Sequence, residues 1–369
     1  IFPEAVISVI SMRASLIKKA DRMVIKLGTG VLTDARNHPD LKQMETLVSQ
    51  LVALRKLGKE IVIVSSGAVG AGMGSMGWER RPGTLADLQA CAAVGQTRLM
   101  HTYSDLFSKH GLSVGQVLLT HADLKHHERH LNARNTLTAL LDRDFIPIVN
   151  ENDAVSFTEL KFGDNDTLSA LVACLIPVEL LVILTTADGL IEDFATPEAK
   201  RISEVERIDE RIMAMARGTT SVTATGGMTT KIEAAKIAVR SGIPMFIGPG
   251  RNATILRDMA EGADVGTVFL PSKKGLKGRK RWIAFFHRPK GSLTVDQGAK
   301  LALRENGKSL LPGGVTDIEG PFQSGEVVRL LDEEGTEFAR GIAESDSASF
   351  QTWKDHGEEI IHRDNLVIL

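Results

Sequence analysis

Ile61-Val62-Ile63-Val64-Ser65-Ser66-Gly67-Ala68 joins four β-branched residues directly to a small polar turn. An unbroken apolar run suits a strand covered on both faces, because an open face would demand alternation with polar residues. The serines and glycine that follow suit a turn opening a helix. Four further runs share this build, at 23–26, 145–149, 180–184 and 245–247. Helical patterns lie between them. Leu41, Met44, Leu47, Val48, Leu51 and Leu54 recur at spacings of three and four, and over 230–240 Ile232, Ala235, Ile237 and Val239 are interleaved with Lys and Glu. Strands alternating with helices predict an α/β fold of three layers, with a mostly parallel central sheet. Ligands of such sheets bind at the carboxyl ends of the strands, so functional residues should follow the apolar runs.

The chain has 369 residues, enough for two domains. Its character changes near residue 271, where Pro-Ser-Lys-Lys-Gly-Leu-Lys-Gly-Arg-Lys-Arg carries six basic residues, Lys273, Lys274 and Lys277 among them. Short β-type runs follow at 293–295, 327–331 and 366–369, separated by turns such as Pro312-Gly313-Gly314 and Glu333-Glu334-Gly335. This predicts a catalytic domain over 20–270 and a small, mainly β domain over 279–369. The net charge of -2 argues against a general binder of nucleic acid or membrane surface. Cys91 and Cys174 form no CxxC pair, which suits a reducing compartment. No apolar run reaches the roughly 18 residues of a spanning helix. The basic residues near the start (Arg13, Lys18, Lys19) follow the apolar opening, whereas a signal peptide carries them in front. A cytoplasmic location is expected.

The strand ends carry the chemistry. After the first run comes Lys26-Leu27-Gly28-Thr29-Gly30, whose glycines permit close backbone approach to a phosphate while the lysine adds charge. After the second, Ser65-Ser66-Gly67-Ala68 offers the free N–H groups of a helix start to an anion. After the third, Asn150-Glu151-Asn152-Asp153 sets four polar side chains in a row, and Gly163-Asp164-Asn165-Asp166 adds a second acidic loop. After the fourth comes Thr185-Thr186-Ala187-Asp188-Gly189, and Thr225-Gly226-Gly227-Met228-Thr229-Thr230-Lys231 precedes the helix near 230. Each alone could be an ordinary turn. Together they supply two lysines on glycine loops, carboxylates, amides and a helix N-terminus, a set that fits phosphoryl transfer.

Two other patterns lead elsewhere. Gly72, Gly74 and Gly77 satisfy GxGxxG, but they begin eight residues past Val64, and no acid closes a second strand about 20 residues on, as a dinucleotide site requires. His121, His126, His127 and His130 lack an HExxH or cysteine partner, and they read as a solvated helix face. No Walker GxxxxGK[ST] is present.

These motifs, in this order, resemble the glutamate 5-kinase family within the amino-acid kinases. The resemblance rests on Lys26-Leu27-Gly28-Thr29, Val64-Ser65-Ser66-Gly67-Ala68, Ala93-Val94-Gly95-Gln96, Leu131-Asn132-Ala133-Arg134, Asn150-Glu151-Asn152-Asp153-Ala154-Val155, Gly163-Asp164-Asn165-Asp166 and Gly226 to Lys231. It continues in Arg279-Lys280-Arg281-Trp282-Ile283, Ser309-Leu310-Leu311-Pro312 and His362-Arg363-Asp364, which are similar to the appended PUA domain. It implies an amino-acid kinase fold plus a PUA domain, and transfer of phosphate from Mg-ATP to the side-chain carboxylate of L-glutamate, the first step of proline synthesis. The catalytic residues implied are Lys26, Lys231 and Asp166. Lys26, Gly28, Thr185, Thr186 and residues Thr225, Gly226, Gly227, Met228, Thr229, Thr230 and Lys231 would hold ATP. Ser66, Gly67, Asn150, Asp153 and Asn165 would hold glutamate, with Asp153 facing the α-ammonium group. Mg²⁺ would arrive with ATP, with no protein metal site of its own.

Feedback inhibition by proline at the glutamate site is expected, with the segment 156–163, including Glu159 and Lys161, adjusting to either ligand. So is a homo-oligomer, dimer or tetramer. Departures from the family pattern are Gly30 in place of Ser, Thr186 in place of Asp, the absence of Asp-Pro-Arg over 191–198, and a shortened segment over 351–360. Two rival readings are another carboxylate kinase, such as an acetylglutamate kinase, and an RNA-binding PUA protein. Asp153 suits a free ammonium rather than an acetamide. The 12 Lys and Arg against 15 Asp and Glu over 278–369 make a poor surface for RNA phosphates.

Overall fold

The structure is a computed structural model that describes residues 13–34, 38–155, 165–194, 196–217, 227–273, 275–276, 278–287, 289–349, 352 and 358–369. The chain divides into two compact units, Ile1–Gly275 and Leu276–Leu369.

In the first unit, eight strands form one sheet. In chain order they are β1 (Arg22–Leu27), β2 (Glu60–Val64), β3 (Val114–Leu119), β4 (Ile146–Glu151), β5 (Leu180–Thr185), β6 (Glu204–Val205), β7 (Met245–Pro249) and β8 (Thr267–Phe269). Their spatial order is β3-β4-β2-β1-β5-β7-β8-β6. All adjacent pairs are parallel except β7 with β8. The five apolar runs are strands, and their central residues are fully buried, as expected for strands packed between helices. Three strands do not show as apolar runs. β3 carries Gly115 and Gln116 and lies at the sheet edge, where only one neighbour covers it, and β6 and β8 have two and three residues.

The helices that matter for the site are α1 (Leu41–Lys56), α2 (Ala68–Ser75), α3 (Leu85–Ser108), α4 (His127–Leu141), α5 (Asn165–Leu175) and α6 (Met228–Arg240). The side chain of Asp40 caps α1 by accepting from the N–H of Gln43 at 3.1 Å. The apolar stripe of α1 is buried at Met44, Leu47, Val48, Leu51 and Leu54, while Leu41 at its start is 62% exposed. Cys174 sits in the core of α5, its thiol 3.1 Å from the hydroxyl of Ser241, and Cys91 is fully buried.

Helices α2 and α3 pack unusually closely. A Cβ on Gly72 would lie 1.8 Å from the carbonyl oxygen of Cys91, and one on Gly95 would lie 1.8 Å from that of Ala68. Gly72 of the GxGxxG pattern, together with Gly95, thus brings one helix backbone against another. The histidines are not all solvated: Nδ1 of His121 is 3.6 Å from Oε1 of Glu151, and Nδ1 of His130 is 3.3 Å from the Leu124 carbonyl.

The second unit has a five-stranded sheet of Ser292–Val295, Val315–Glu319, Val327–Leu331, Glu337–Ile342 and Leu366–Ile368, with the helices Gly278–Phe285 and Gln297–Asn306. Arg279, Lys280 and Arg281 form the start of the first of these helices. Its Ile283 and Ala284 pack on Val327, Ile342 and Val367.

The α2–α3 contact gives a direct test. Gly95→Ala should destabilise the protein by roughly 3 kcal/mol or more, because the clash is with backbone that cannot step aside. Gly83→Ala, where an added Cβ meets nothing within 4 Å, should stay within about 0.5 kcal/mol of the parent. Thermal denaturation of the pair reads the difference; equal melting temperatures would disprove the close-packing account.

Candidate active site

The ends of β1, β2, β4 and β5 and the starts of α2, α5 and α6 converge on one carboxylate. Asp166, in the first turn of α5, is 2% exposed. Its Oδ1 accepts from Nζ of Lys26 at 2.6 Å, and its Oδ2 accepts from Nζ of Lys231 at 3.1 Å and from the Thr230 hydroxyl at 2.7 Å. Both lysines are buried. Burial alone would raise the Asp166 pKa, but the charges of Lys26 and Lys231 outweigh it and hold the group at about 2.

Each lysine is delivered by local structure. Lys26 is the fifth residue of β1, and the chain then turns at Gly28, whose N–H donates to the Leu184 carbonyl at 3.1 Å. A Cβ on Gly28 would crowd that oxygen at 3.1 Å and the Lys26 amine at 3.6 Å. Lys231 lies in the first turn of α6, whose N-cap Gly227 has no side chain to bond, so the N–H groups of that turn face outward. Thr185 ends β5, and its carbonyl accepts from the Gly250 N–H at 2.7 Å. Thr186 is exposed beside the first glycine loop. The two departures Gly30 and Thr186 are neighbours: a Cβ at residue 30 would lie 3.0 Å from Cγ2 of Thr186, so a larger residue at 186 faces the smallest one at 30. Arg251, not picked out in the sequence, steadies this loop. Its Nε donates to the Gly30 carbonyl at 3.1 Å, and its guanidinium also reaches the Thr33 carbonyl.

On the other side of Asp166, an amide network runs behind the Ser65–Ala68 turn. Nδ2 of Asn165 lies 2.7 Å from the Ser65 carbonyl, 2.9 Å from Oγ of Ser66 and 3.0 Å from Oδ1 of Asn150. Oδ1 of Asn150 also accepts from the Glu151 N–H at 2.9 Å, and its Nδ2 donates to Oε1 of Gln96 at 2.8 Å. The sequence reading groups Asn150 with the substrate contacts. Its side chain is 1% exposed, and both its oxygen and its nitrogen are engaged by protein groups. Gly67 adopts φ +93° at the N-cap of α2, a conformation that favours glycine and turns the Ser66–Ala68 backbone into the helix. Beside it lies a cavity of about 270 Å³ lined by Ala68, Gln96, Gln116, Glu151, Asn152 and Asp153, among others.

Lys26, Asp166, Thr230 and Lys231 thus form one hydrogen-bonded cluster and Ser66, Asn150 and Asn165 a second, adjacent through the neighbouring residues Asn165 and Asp166, while Asp153 lines a cavity that begins at Ala68, next to Gly67. Thr225, Gly226 and the segment 156–164 lie outside the described residues, as do Gly163 and Asp164 of the second acidic loop. Among the described residues, no three His, Cys, Asp or Glu side chains group as a metal site.

The arrangement predicts a pH dependence. A carboxylate whose pKa is depressed on folding contributes stability above its unfolded pKa, near 4, and that stability is lost as pH falls through about 2. Asp166 should supply roughly 2 kcal/mol in this way. Asp166→Asn should lack that acid-sensitive component and also unfold more easily at pH 7, because two buried ammonium groups lose their counter-charge. Urea denaturation from pH 7 to pH 2 measures both; parallel pH curves for the two proteins would contradict the assignment.

Comparison with known proteins places this geometry. A family model described as the amino acid kinase family matches residues 21–249, and one described as the PUA domain matches residues 291–363. Glutamate 5-kinase of Geobacter sulfurreducens is 45% identical over 373 residues, covering 97% of this chain and 100% of the relative. Glutamate 5-kinase of Moorella thermoacetica is 44% identical, covering 96% and 97%. The chain thus belongs to the amino acid kinase family, in its glutamate 5-kinase branch, with a PUA domain at residues 291–363.

Proposed function

We infer that this chain phosphorylates the side-chain carboxylate of L-glutamate with ATP, giving L-glutamyl 5-phosphate, the first step of proline biosynthesis. The observation that carries the reading is the pair of buried lysines tied to Asp166 beside a cavity lined by Asp153. A glutamate side chain, with a pKa near about 4.3, is already an anionic nucleophile at neutral pH and needs no general base. The barrier is repulsion between that anion and the ATP phosphates, and positive charge fixed at the transfer point lowers it.

In this reading Lys26 and Lys231 neutralise charge on the transferring phosphoryl group, and Asp166 holds both amines in place. Gly28, Thr185, Thr186 and residues 225–231 cradle ATP, with the free N–H groups of the α6 start facing its phosphates. Ser66, Gly67, Asn165 and Asp153 take up glutamate, and Asn150 braces Asn165 from behind. Asp166 is occupied by the two lysines and Thr230, so the donor set fits a Mg²⁺ carried on the ATP phosphates, where it would add further positive charge. Proline offers the same α-carboxylate and a cationic nitrogen but no side-chain carboxylate, so it could occupy the glutamate site without reacting.

We place the enzyme in the cytoplasm as a homo-oligomer, a dimer or tetramer. Two buried free cysteines support a reducing compartment. No helix of the described residues is long and apolar enough to cross a membrane. Met76, Trp78 and Val94, exposed on or beside α2 and α3, offer apolar surface for self-association.

The activity is tested by trapping acyl phosphate as hydroxamate with glutamate, N-acetylglutamate and aspartate in parallel. Product from glutamate alone is expected; preference for N-acetylglutamate would favour the rival carboxylate kinase. Lys26→Ala and Lys231→Ala should each lower kcat by on the order of 100-fold or more, and near-normal turnover in either would remove its role. Asp153→Asn should raise the KM of glutamate far more than that of ATP, since an ion pair becomes a neutral contact. Glutamate saturation curves at several proline concentrations should converge on one maximal rate. Curves sharing one KM would rule out a common site.

A further inference from the structure

Gln96 lies on α3, immediately after the glycine that presses that helix against Ala68. It is 8% exposed, and its Oε1 accepts from Asn150. Its Nε2 is buried and meets no acceptor among the described residues.

The orientation of this amide is set by its neighbours. The Glu151 backbone N–H can only donate, and it donates to Oδ1 of Asn150. Asn150 must therefore turn its NH₂ toward Gln96, and Gln96 must answer with its oxygen. Reversing the Gln96 amide would set two NH₂ groups against each other. Among the described residues the network leaves a buried donor, fixed in direction, with no acceptor. Such groups are rare in native proteins because the loss of hydration is uncompensated.

The Gln96 side chain lines the cavity that also holds Asp153, Glu151 and Ala68. Lys26, Asp166 and Lys231 do not line it, so this cavity suits the end of glutamate that does not react. That end carries an ammonium and a carboxylate on one carbon. The acids Asp153 and Glu151 answer the ammonium. Gln96 shares this lining with the neutral side chains of Thr97, Gln116 and Asn152, and it is the one whose buried amide N–H lacks an acceptor among the described residues, so it can answer the carboxylate without competing for the cation.

We propose that Gln96 is a substrate-binding residue whose Nε2 donates a hydrogen bond to the α-carboxylate of glutamate, an inference that rests on the function read above. It makes the Asn165–Asn150–Gln96 amide chain a single positioning device: Asn165 faces the Ser65–Ser66 turn at one end, and Gln96 faces the amino-acid head at the other. It also predicts discrimination against 4-aminobutyrate, which has the ammonium and the reacting carboxylate of glutamate but no α-carboxylate to satisfy the donor.

The test is steady-state kinetics of the full chain as wild type, Gln96→Ala and Gln96→Glu. In Gln96→Ala the glutamate KM should rise on the order of 10- to 100-fold, the range of a lost hydrogen bond to a charged group. Gln96→Glu keeps an acceptor for Asn150 but turns a carboxylate toward the substrate, and should be worse than Gln96→Ala. The KM of ATP should stay within about threefold, and kcat at saturating glutamate should change less than the glutamate KM. An unchanged glutamate KM, or an ATP KM that rises in step with it, would overturn the proposal, the latter by showing a merely structural role. Should both variants fail to fold, a structure of the wild type with glutamate decides. A carboxylate oxygen within hydrogen-bond distance of Nε2 supports the assignment, and glutamate bound away from it overturns it. The wild-type arm separates this inference from the activity: a wild type inert toward glutamate overturns both, whereas normal wild-type turnover with unaltered variants overturns Gln96 alone.

Discussion

Two ammonium groups buried side by side would repel each other and lose their hydration; the carboxylate of Asp166 makes their burial tolerable. Each of its oxygens takes one lysine, and the attraction per pair, of order 4 kcal/mol near a protein surface before desolvation is subtracted, is comparable to the penalty it offsets. The geometry of the site follows from this arrangement. Lys26 comes from the first strand, Asp166 from α5 and Lys231 from α6, so three elements far apart in sequence are locked at one point. The negative charge is spent inside the cluster, and one net positive charge remains. A site of that sign, at the carboxyl ends of parallel strands, suits two anionic reactants that must be brought together.

In the proposed function the cation cluster sets where the phosphoryl group moves, and a different kind of interaction sets where the acceptor sits. The chain of amides from Asn165 through Asn150 to Gln96 has no charge and hence no long reach. Its value is directional, because each amide has a donor end and an acceptor end, and a single backbone N–H, that of Glu151, sets the sense of the whole chain. Under the proposed roles, charge works where the transition state needs it and hydrogen-bond direction where the substrate is told apart from its analogues, a division of catalysis from recognition within one site.

How much of this could be read from the sequence depends on how local each cause is. Strands buried on both faces announce themselves as unbroken apolar runs, and the residues just past them stand out as candidates for a site because a parallel sheet leaves its ligands only that edge. Lys26, Ser66, Gly67 and Asp153 close or follow such runs, whereas Asn165, Asp166 and Lys231 are read from polar and glycine-rich loops and from the family resemblance. β3 did not stand out, since an edge strand with Gly115 and Gln116 lacks the run, and neither did the two-residue β6. Gln96 was quoted as part of a motif and given no task. It sits in the middle of a 24-residue helix, where sequence offers no strand end to point at it, and its position depends on a contact made by another helix. Asn150 was legible as polar, but its burial was not: that depends on Gln96, Glu151 and Asn165, partners that only the fold assembles. Arg251 was missed for the same reason, because it supports the first glycine loop from more than 200 residues away.

The glycines of α2 and α3 show how packing reaches into chemistry. Read as a string, Gly72, Gly74 and Gly77 imitate a dinucleotide fingerprint. In the fold, Gly72 and Gly95 remove the two side chains that would hold the helices apart, and each glycine faces a carbonyl of the opposite helix. Helices normally pack with axes about 8–10 Å apart, a distance set by the side chains between them. Removing those side chains moves α3 toward the start of α2, where the Ser65–Ala68 turn presents its N–H groups. The residue after Gly95 is then carried to the edge of the cavity lined by Asp153, with its amide already gripped by Asn150. A methyl group at residue 95 would push that amide away from the cavity as well as strain the helix pair. The same two atoms of missing volume thus serve stability and recognition together, which is why a glycine contact remote from the phosphate-transfer point belongs to the architecture of the site.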